Sequence, residues 1–162
     1  MSYTAATIQL LSAEGALVEN DVTAEYLPQV AALTEAQLRE FHRQMVVIRQ
    51  FDMEAANLQR QGQLALWIPS VGQEAAQVGS AFAAKPQDHL FPAYREHVVG
   101  RIRGVDPMRI IEMLRGLSHG GWDPAEHGNF HLYTLVIGSQ SLHATGYAMG
   151  IQLDGATATG DP

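Results

Sequence analysis

A chain of 162 residues, 46% hydrophobic and 17% charged, can bury a core of its own and is too apolar for intrinsic disorder. Its net charge of −7, from 10 basic and 17 acidic residues with no basic stripe, argues against nucleic acid as a partner. The lack of cysteine rules out disulfides and thiolate metal sites and suits a reducing compartment, and no run nears the roughly 20 apolar residues needed to span a bilayer.

Met1 to Gly15 carries Glu14, no arginine and no long apolar stretch, so neither a secretory signal nor a transit segment is expected, and a cytoplasmic location is. Thr7–Leu11 and Ala16–Val18 flank Ser12-Ala13-Glu14-Gly15, which predicts a small hairpin. Residues 20–30 read as an irregular, apolar arm around Pro28, able to lie on another chain or on its own domain. Hairpin and arm make a first unit, 1–33, ahead of a partial domain over 34–162.

Thr34-Glu35-Ala36-Gln37 has the form of a capping box, with Leu33 and Leu38 spaced for a hydrophobic staple. Leu38, Phe41, Met45, Ile48, Phe51, Ala55 and Leu58 then recur at three- and four-residue steps, which predicts a scaffold helix from Glu35 to Gln61 that stops at Gly62. Leu64–Ile68 is a short apolar run closed by Pro69. Ser70 to Ala75 opens a second helix whose small residues would let a neighbouring backbone come close. Lys85-Pro86-Gln87-Asp88 is turn chemistry. Leu90-Phe91-Pro92 leads into a helix predicted from Tyr94 to Arg103. An arginine beside a tyrosine at its mouth suits an anion, since the guanidinium forks onto oxygens and the phenol adds a donor. The alternative is that Arg95 pairs locally with Glu96 or Asp88.

Asp106-Pro107 starts the next helix, which ends near Gly116. Leu117 to Pro124 is a glycine-rich stretch, read as a surface loop, that carries His119 and Trp122. His127 and His131 have a spacing that would hold metal on a regular helix. Gly128 and Asn129 break such a helix and no third ligand is in sight, so loop histidines are the reading preferred over zinc. The apolar run Leu132–Ile137 precedes a small-residue helix from Gly138 to Gly150, expected to pack tightly. Gln152 to Pro162 is polar and ends in Gly160-Asp161-Pro162.

Gln59-Arg60-Gln61-Gly62, Gly72-Gln73-Glu74-Ala75 and Phe91-Pro92-Ala93-Tyr94-Arg95-Glu96 resemble, in order, successive motifs of one family. It is the alpha chain of the thiamine-diphosphate-dependent decarboxylating component of 2-oxo acid dehydrogenase complexes, and the likeness runs from Thr34 to Gly150. The resemblance implies an α/β fold, the N-terminal part of the thiamine-diphosphate-binding fold, helix-rich in this segment and with few complete strands. It implies oxidative decarboxylation of pyruvate or a branched-chain 2-oxo acid, with the acyl group passed to a lipoyl arm of the transacylase. The expected partners are a beta subunit, in an alpha2-beta2 heterotetramer, and that lipoyl-bearing transacylase.

By the same resemblance, Tyr94 and Arg95 hold the cofactor diphosphate, Leu135 offers backbone groups to the aminopyrimidine ring, and Ile137 is the wedge that bends the cofactor. His131 falls where the family often has a histidine before its cofactor loop. His119 is a candidate for substrate or lipoyl contact, or a solvated loop histidine. Thr134, Ser139 and Gln140 match the oxygen ligands of a monovalent cation in some relatives. Gly160-Asp161-Pro162 is not the family's Gly-Asp-Gly, so the magnesium ligands are expected downstream of Pro162 and the 162-residue chain alone is expected to be inactive. Ile68 stands where some pyruvate-type members carry a histidine, which favours a branched-chain substrate. An acetoin dehydrogenase alpha chain and a non-catalytic docking or assembly module are the alternative readings.

Overall fold

A computed structural model describes residues 7–118 and 121–156. The backbone divides into two units, Met1–Glu40 and Phe41–Pro162. In the first, Leu11 and Leu17 form an isolated antiparallel bridge around the expected turn, with the Ser12 N–H donating to the Ala16 carbonyl at 2.8 Å. The Asn20 side-chain oxygen accepts from the Val22 and Thr23 N–H groups at 2.9 and 3.1 Å, a local turn of the kind asparagine favours. The arm that follows is not irregular throughout, as the sequence suggested. Leu27–Ala31 form helix α1, with Pro28 in its first turn, where a missing N–H leaves no bond unmade.

Helix α2, Glu35–Arg60, starts on the predicted capping box. The Gln37 N–H donates to Thr34 Oγ1 at 3.2 Å, and the Thr34 N–H donates to Gln37 Oε1 at 2.8 Å. Leu38 is 51% exposed, so the proposed staple does not bury it. At the far end Gly62 takes the left-handed conformation at φ 69°, and the N–H groups of Gly62 and Gln63 close the helix on the Gln59 and Leu58 carbonyls.

The apolar stripe of α2 builds the core of the second unit. Ile48 and Ala55 are buried with Leu64 and Trp67 of the following loop, Val78 and Ala81 of α3 (Glu74–Ala83), and Val98 and Val99 of α4 (His97–Ile102). Ile110, Ile111 and Leu114 of α5 (Pro107–Leu114) complete it; α5 begins as expected, with the Asp106 carboxylate accepting from the Met108 N–H at 2.9 Å. Trp122 corrects the sequence reading of its loop. It is 4% exposed, stacks on Phe130 and donates from Nε1 to the Phe130 carbonyl at 2.8 Å. The apolar area of an indole with a satisfied N–H outweighs the glycine-rich composition around it.

The α/β expectation is met only in its helical part. Among the described residues no strand forms, and the sheet-like contacts are two isolated bridges, the second joining Leu90 to Phe130 in parallel. A strand needs a neighbour along its whole length to take its backbone hydrogen bonds, and Leu64–Ile68 and Leu132–Ile137 have none among the described residues. Helix α6, Ser139–Leu153, forms where predicted, yet none of it is buried, and a Cβ added at Gly146 or Gly150 would meet nothing within 4 Å. The expected close packing of its small residues is therefore not made by the described residues. No helix among them is long and apolar enough to cross a membrane.

The start of α3 is fixed by Glu74, which accepts from the Gly72 N–H at 2.9 Å and from Arg49 Nε of α2 at 2.5 Å. The Arg49 bond is the main cause that holds the Glu74 carboxyl down at about 2, against the opposing effect of burial. Two outcomes follow from this packing. A Cβ at position 100 would lie 2.8 Å from Phe130 Cε1, so Gly100→Ala should destabilise by about 1–3 kcal/mol in urea denaturation. Because Glu74 has a lower pKa folded than its ordinary 4.5, its contribution is present above pH 4.5 and lost as pH falls toward 2. Glu74→Gln should flatten that part of a stability–pH profile; an unchanged profile would show that the pair contributes nothing.

Candidate functional site

Three loop segments, 64–70, 90–97 and 129–137, meet on a set of buried polar groups. Asp52 of α2 is 1% exposed; its Oδ1 accepts from Trp67 Nε1 at 3.0 Å, and its Oδ2 from the Ser70 N–H and hydroxyl at 2.8 and 2.7 Å. His97, equally buried, stacks on the Trp67 ring with centroids 4.4 Å apart. Its Nε2 is 2.8 Å from the Ile68 carbonyl and its Nδ1 is 2.8 Å from the Tyr133 hydroxyl. A carbonyl can only accept, so Nε2 carries the proton and a neutral ring takes the Tyr133 O–H on Nδ1. Burial pushes the His97 pKa down and holds the Tyr133 phenol well above its ordinary value, which keeps the roles in place.

Segments 90–93 and 129–134 run side by side. The His131 N–H donates to the Leu90 carbonyl at 2.8 Å, the Thr134 N–H to Ala93 at 2.6 Å, and the Thr134 hydroxyl to Pro92 at 3.3 Å. Tyr94 and Arg95 thus follow directly from one side of this seam, and Leu135 to Ile137 from the other.

The helix expected from Tyr94 begins instead at His97. The Arg95 carbonyl is taken by the His97 N–H at 2.8 Å and by Gln77 Nε2 of α3 at 3.0 Å, which turns the chain before α4 starts. Neither expected carboxylate pairs with the Arg95 guanidinium. Glu96 accepts from the Arg95 backbone N–H at 3.1 Å, and Asp88 from the Lys85 N–H at 2.8 Å. Among the described residues the guanidinium has no hydrogen bond or ion pair; it lies 5.6 Å from the Tyr94 ring centroid, half-buried.

Leu135, Val136 and Ile137 are 58%, 73% and 81% exposed, an apolar run with nothing over it among the described residues. Beside the seam lies a cavity of about 350 Å³, walled by Phe91, His131, Thr134, Gln140 and His143 among others. Tyr94, Arg95, Leu135 and Ile137 do not line it. Gln140 Oε1 is buried without a partner, whereas the Thr134 and Ser139 hydroxyls donate to backbone carbonyls. His131 is held from behind: its Nε2 meets His89 Nδ1 at 3.0 Å, the Tyr147 hydroxyl of α6 meets His89 Nε2 at 2.9 Å, and Phe91 stacks on the His131 ring. Burial, then the neighbouring His89, lowers the His131 pKa.

His119 and Gly160-Asp161-Pro162 lie outside the described residues. Among the described residues no group of three or more His, Cys, Asp or Glu side chains could hold a metal ion, and His127 and His131 do not share one. Asp52, His89, His97, Tyr133 and Tyr147 were not singled out by sequence reasoning. Asp52 carried a readable sign, since a carboxylate four residues after Ile48 and three before Ala55 falls on the buried stripe. The half-buried Arg95 guanidinium suits an anionic group and the open Leu135–Ile137 run an apolar one, while the unpartnered Gln140 Oε1 belongs to the cavity beside them.

The model of the family described as "Dehydrogenase E1 component" matches residues 42–160. The chain is 43% identical over 141 residues to the 3-methyl-2-oxobutanoate dehydrogenase subunit alpha of Mycobacterium tuberculosis, covering 80% of this chain and 38% of that protein. It is 32% identical over 160 residues to the pyruvate dehydrogenase E1 component subunit alpha of Bacillus cereus (96% and 41% covered), and 31% identical over 152 residues to that of Bacillus subtilis (94% and 39% covered). The chain spans about two fifths of the length of these curated relatives.

Proposed function

The chain belongs to the dehydrogenase E1 component family, and from that membership we propose that it is the cofactor-holding part of a 2-oxo acid dehydrogenase alpha subunit, with thiamine diphosphate bound across the seam between residues 93–95 and 134–137. The observation that carries the reading is the Arg95 guanidinium, half-buried beside Tyr94 and without a carboxylate. Held in a sheltered loop, it would bind the diphosphate in a charge-assisted contact worth about 1.5–3 kcal/mol, with the Tyr94 phenol as a second donor. Leu135 would offer backbone groups to the ring, and Ile137 an apolar wall. When bound, this cofactor supplies the electron sink for decarboxylation of a 2-oxo acid, while the chain's own residues place it and exclude water.

Gln140 Oε1, buried and without a partner, supports a monovalent cation shared with Thr134 and Ser139 that would brace the 134–140 turn. The described residues do not supply the carboxylate set that a magnesium ion needs. His131, on the cavity wall and bonded to His89 behind it, would meet substrate or the lipoyl arm in this reading, and His119 is a candidate for the same contact. The partners of this reading are a beta subunit, in an alpha2-beta2 assembly, and the lipoyl-bearing transacylase, with the enzyme in the cytoplasm. A branched-chain 2-oxo acid is the proposed substrate, on Ile68 and on the higher identity to the 3-methyl-2-oxobutanoate relative.

Arg95→Ala should raise the thiamine diphosphate Kd by about 10–100-fold while changing thermal stability little, as read by calorimetric titration and a melting scan. An unchanged Kd would remove the phosphate role. In the assembled enzyme, kcat/KM for 3-methyl-2-oxobutanoate should exceed that for pyruvate and for acetoin; a preference for acetoin would transfer the chain to the acetoin-cleaving enzymes.

A further inference from the structure

We propose that His97 is a positioning residue for the Arg95 loop, acting as a neutral imidazole that ties residues 68 and 133 in one register to the backbone that turns directly after Arg95. This rests on the cofactor reading above. His97 is not itself one of the proposed ligand contacts, yet it is bonded to all three segments that carry or support them. Its backbone N–H donates to the Arg95 carbonyl at 2.8 Å, while in the ring Nε2–H donates to the Ile68 carbonyl and Nδ1 accepts from the hydroxyl of Tyr133, one residue before the Thr134 seam. Trp67 covers one ring face at 4.4 Å, so the imidazole cannot turn without breaking both side-chain bonds inside the core.

The device works only with one proton on the ring. A second, on Nδ1, would face the Tyr133 hydroxyl and force that group to give up its own hydrogen bond. The charged and titratable groups around the ring are Asp52 from α2, Arg95 and Glu96 from its own segment, and Tyr133 from the facing one. Asp52 and Glu96 favour the charged ring and Arg95 opposes it, but burial is the largest effect and keeps it neutral. The Tyr133 O–H favours the neutral ring as well. Removing it should therefore raise the pH at which the ring takes a proton and the loop loses its register.

Tyr133→Phe tests this on the whole assembled enzyme, since the aromatic ring keeps its edge contacts with Trp122 and Phe130. The thiamine diphosphate Kd at pH 7 should rise about tenfold, and the pH below which binding weakens should move upward. The cofactor's own phosphate titrates alike in both proteins, so a difference belongs to the chain. His97→Gln, which keeps a donor for Ile68, should bind more tightly than His97→Ala. Nitrogen NMR of the unsubstituted protein should show the Nε2–H tautomer at pH 7. A fall in melting temperature with unchanged Kd and unchanged acid limb, equal binding by the Gln and Ala variants, or a charged ring at pH 7 would each overturn the proposal. No binding of thiamine diphosphate by the unsubstituted enzyme would instead overturn the cofactor reading, and this proposal with it.

Discussion

Polar groups can stand inside an apolar core only where each finds a partner, and this constraint organises the structure around Asp52 and His97. The two are packed about the Trp67 ring, one accepting its N–H and the other stacked on its face. Asp52 also takes both Ser70 donors, so the chain between α2 and α3 is pinned at two points fifteen and eighteen residues from the carboxylate. His97 then ties that pinned loop to the segment carrying Tyr133. Backbone hydrogen bonds already hold 90–93 against 129–134, so it is the 64–70 loop whose register against that seam depends on these side-chain bonds.

Outside this interior the second unit is open. The Leu135–Ile137 run is exposed, and α6 buries none of its residues. Its link to the seam runs through the Tyr147 hydroxyl on His89, which in turn meets His131. The hydrogen-bonded parts are therefore the inner walls beneath the Tyr94–Arg95 segment, and the open parts are the apolar surfaces on which a ring or another polypeptide would sit.

Elements governed by local chemistry were legible in the sequence. Helix α2 could be read nearly end to end because a capping box, a regular apolar stripe and a stop glycine agree with one another. Helix α5 followed from Asp106-Pro107. What escaped depends on partners far along the chain. The start of α4 shifts to His97 because Gln77, eighteen residues earlier, takes the Arg95 carbonyl. Trp122 is core although its neighbours are glycines, because Phe130 offers both a ring and a carbonyl. The Gly72-Gln73-Glu74-Ala75 motif has a visible physical basis only once Arg49 is seen to meet Glu74. The α/β class could not appear here, as strands need neighbours that the described residues do not provide. Of the site, the Tyr94–Arg95 pair was named from sequence; the histidine that orients it was not, since its tautomer and burial depend on residues 68 and 133.

On the proposed reading, residues 93–97 and 133–137 form a single, preorganised cradle for thiamine diphosphate. Hydrogen exchange of the assembled enzyme, followed with and without the cofactor, tests it most directly. The cofactor should slow exchange chiefly in these two segments, with the Thr134 and His97 amides already slow in its absence because both are bonded across or within the seam. Protection confined to other parts of the chain, or fast exchange at Thr134 and His97 in both states, would contradict it.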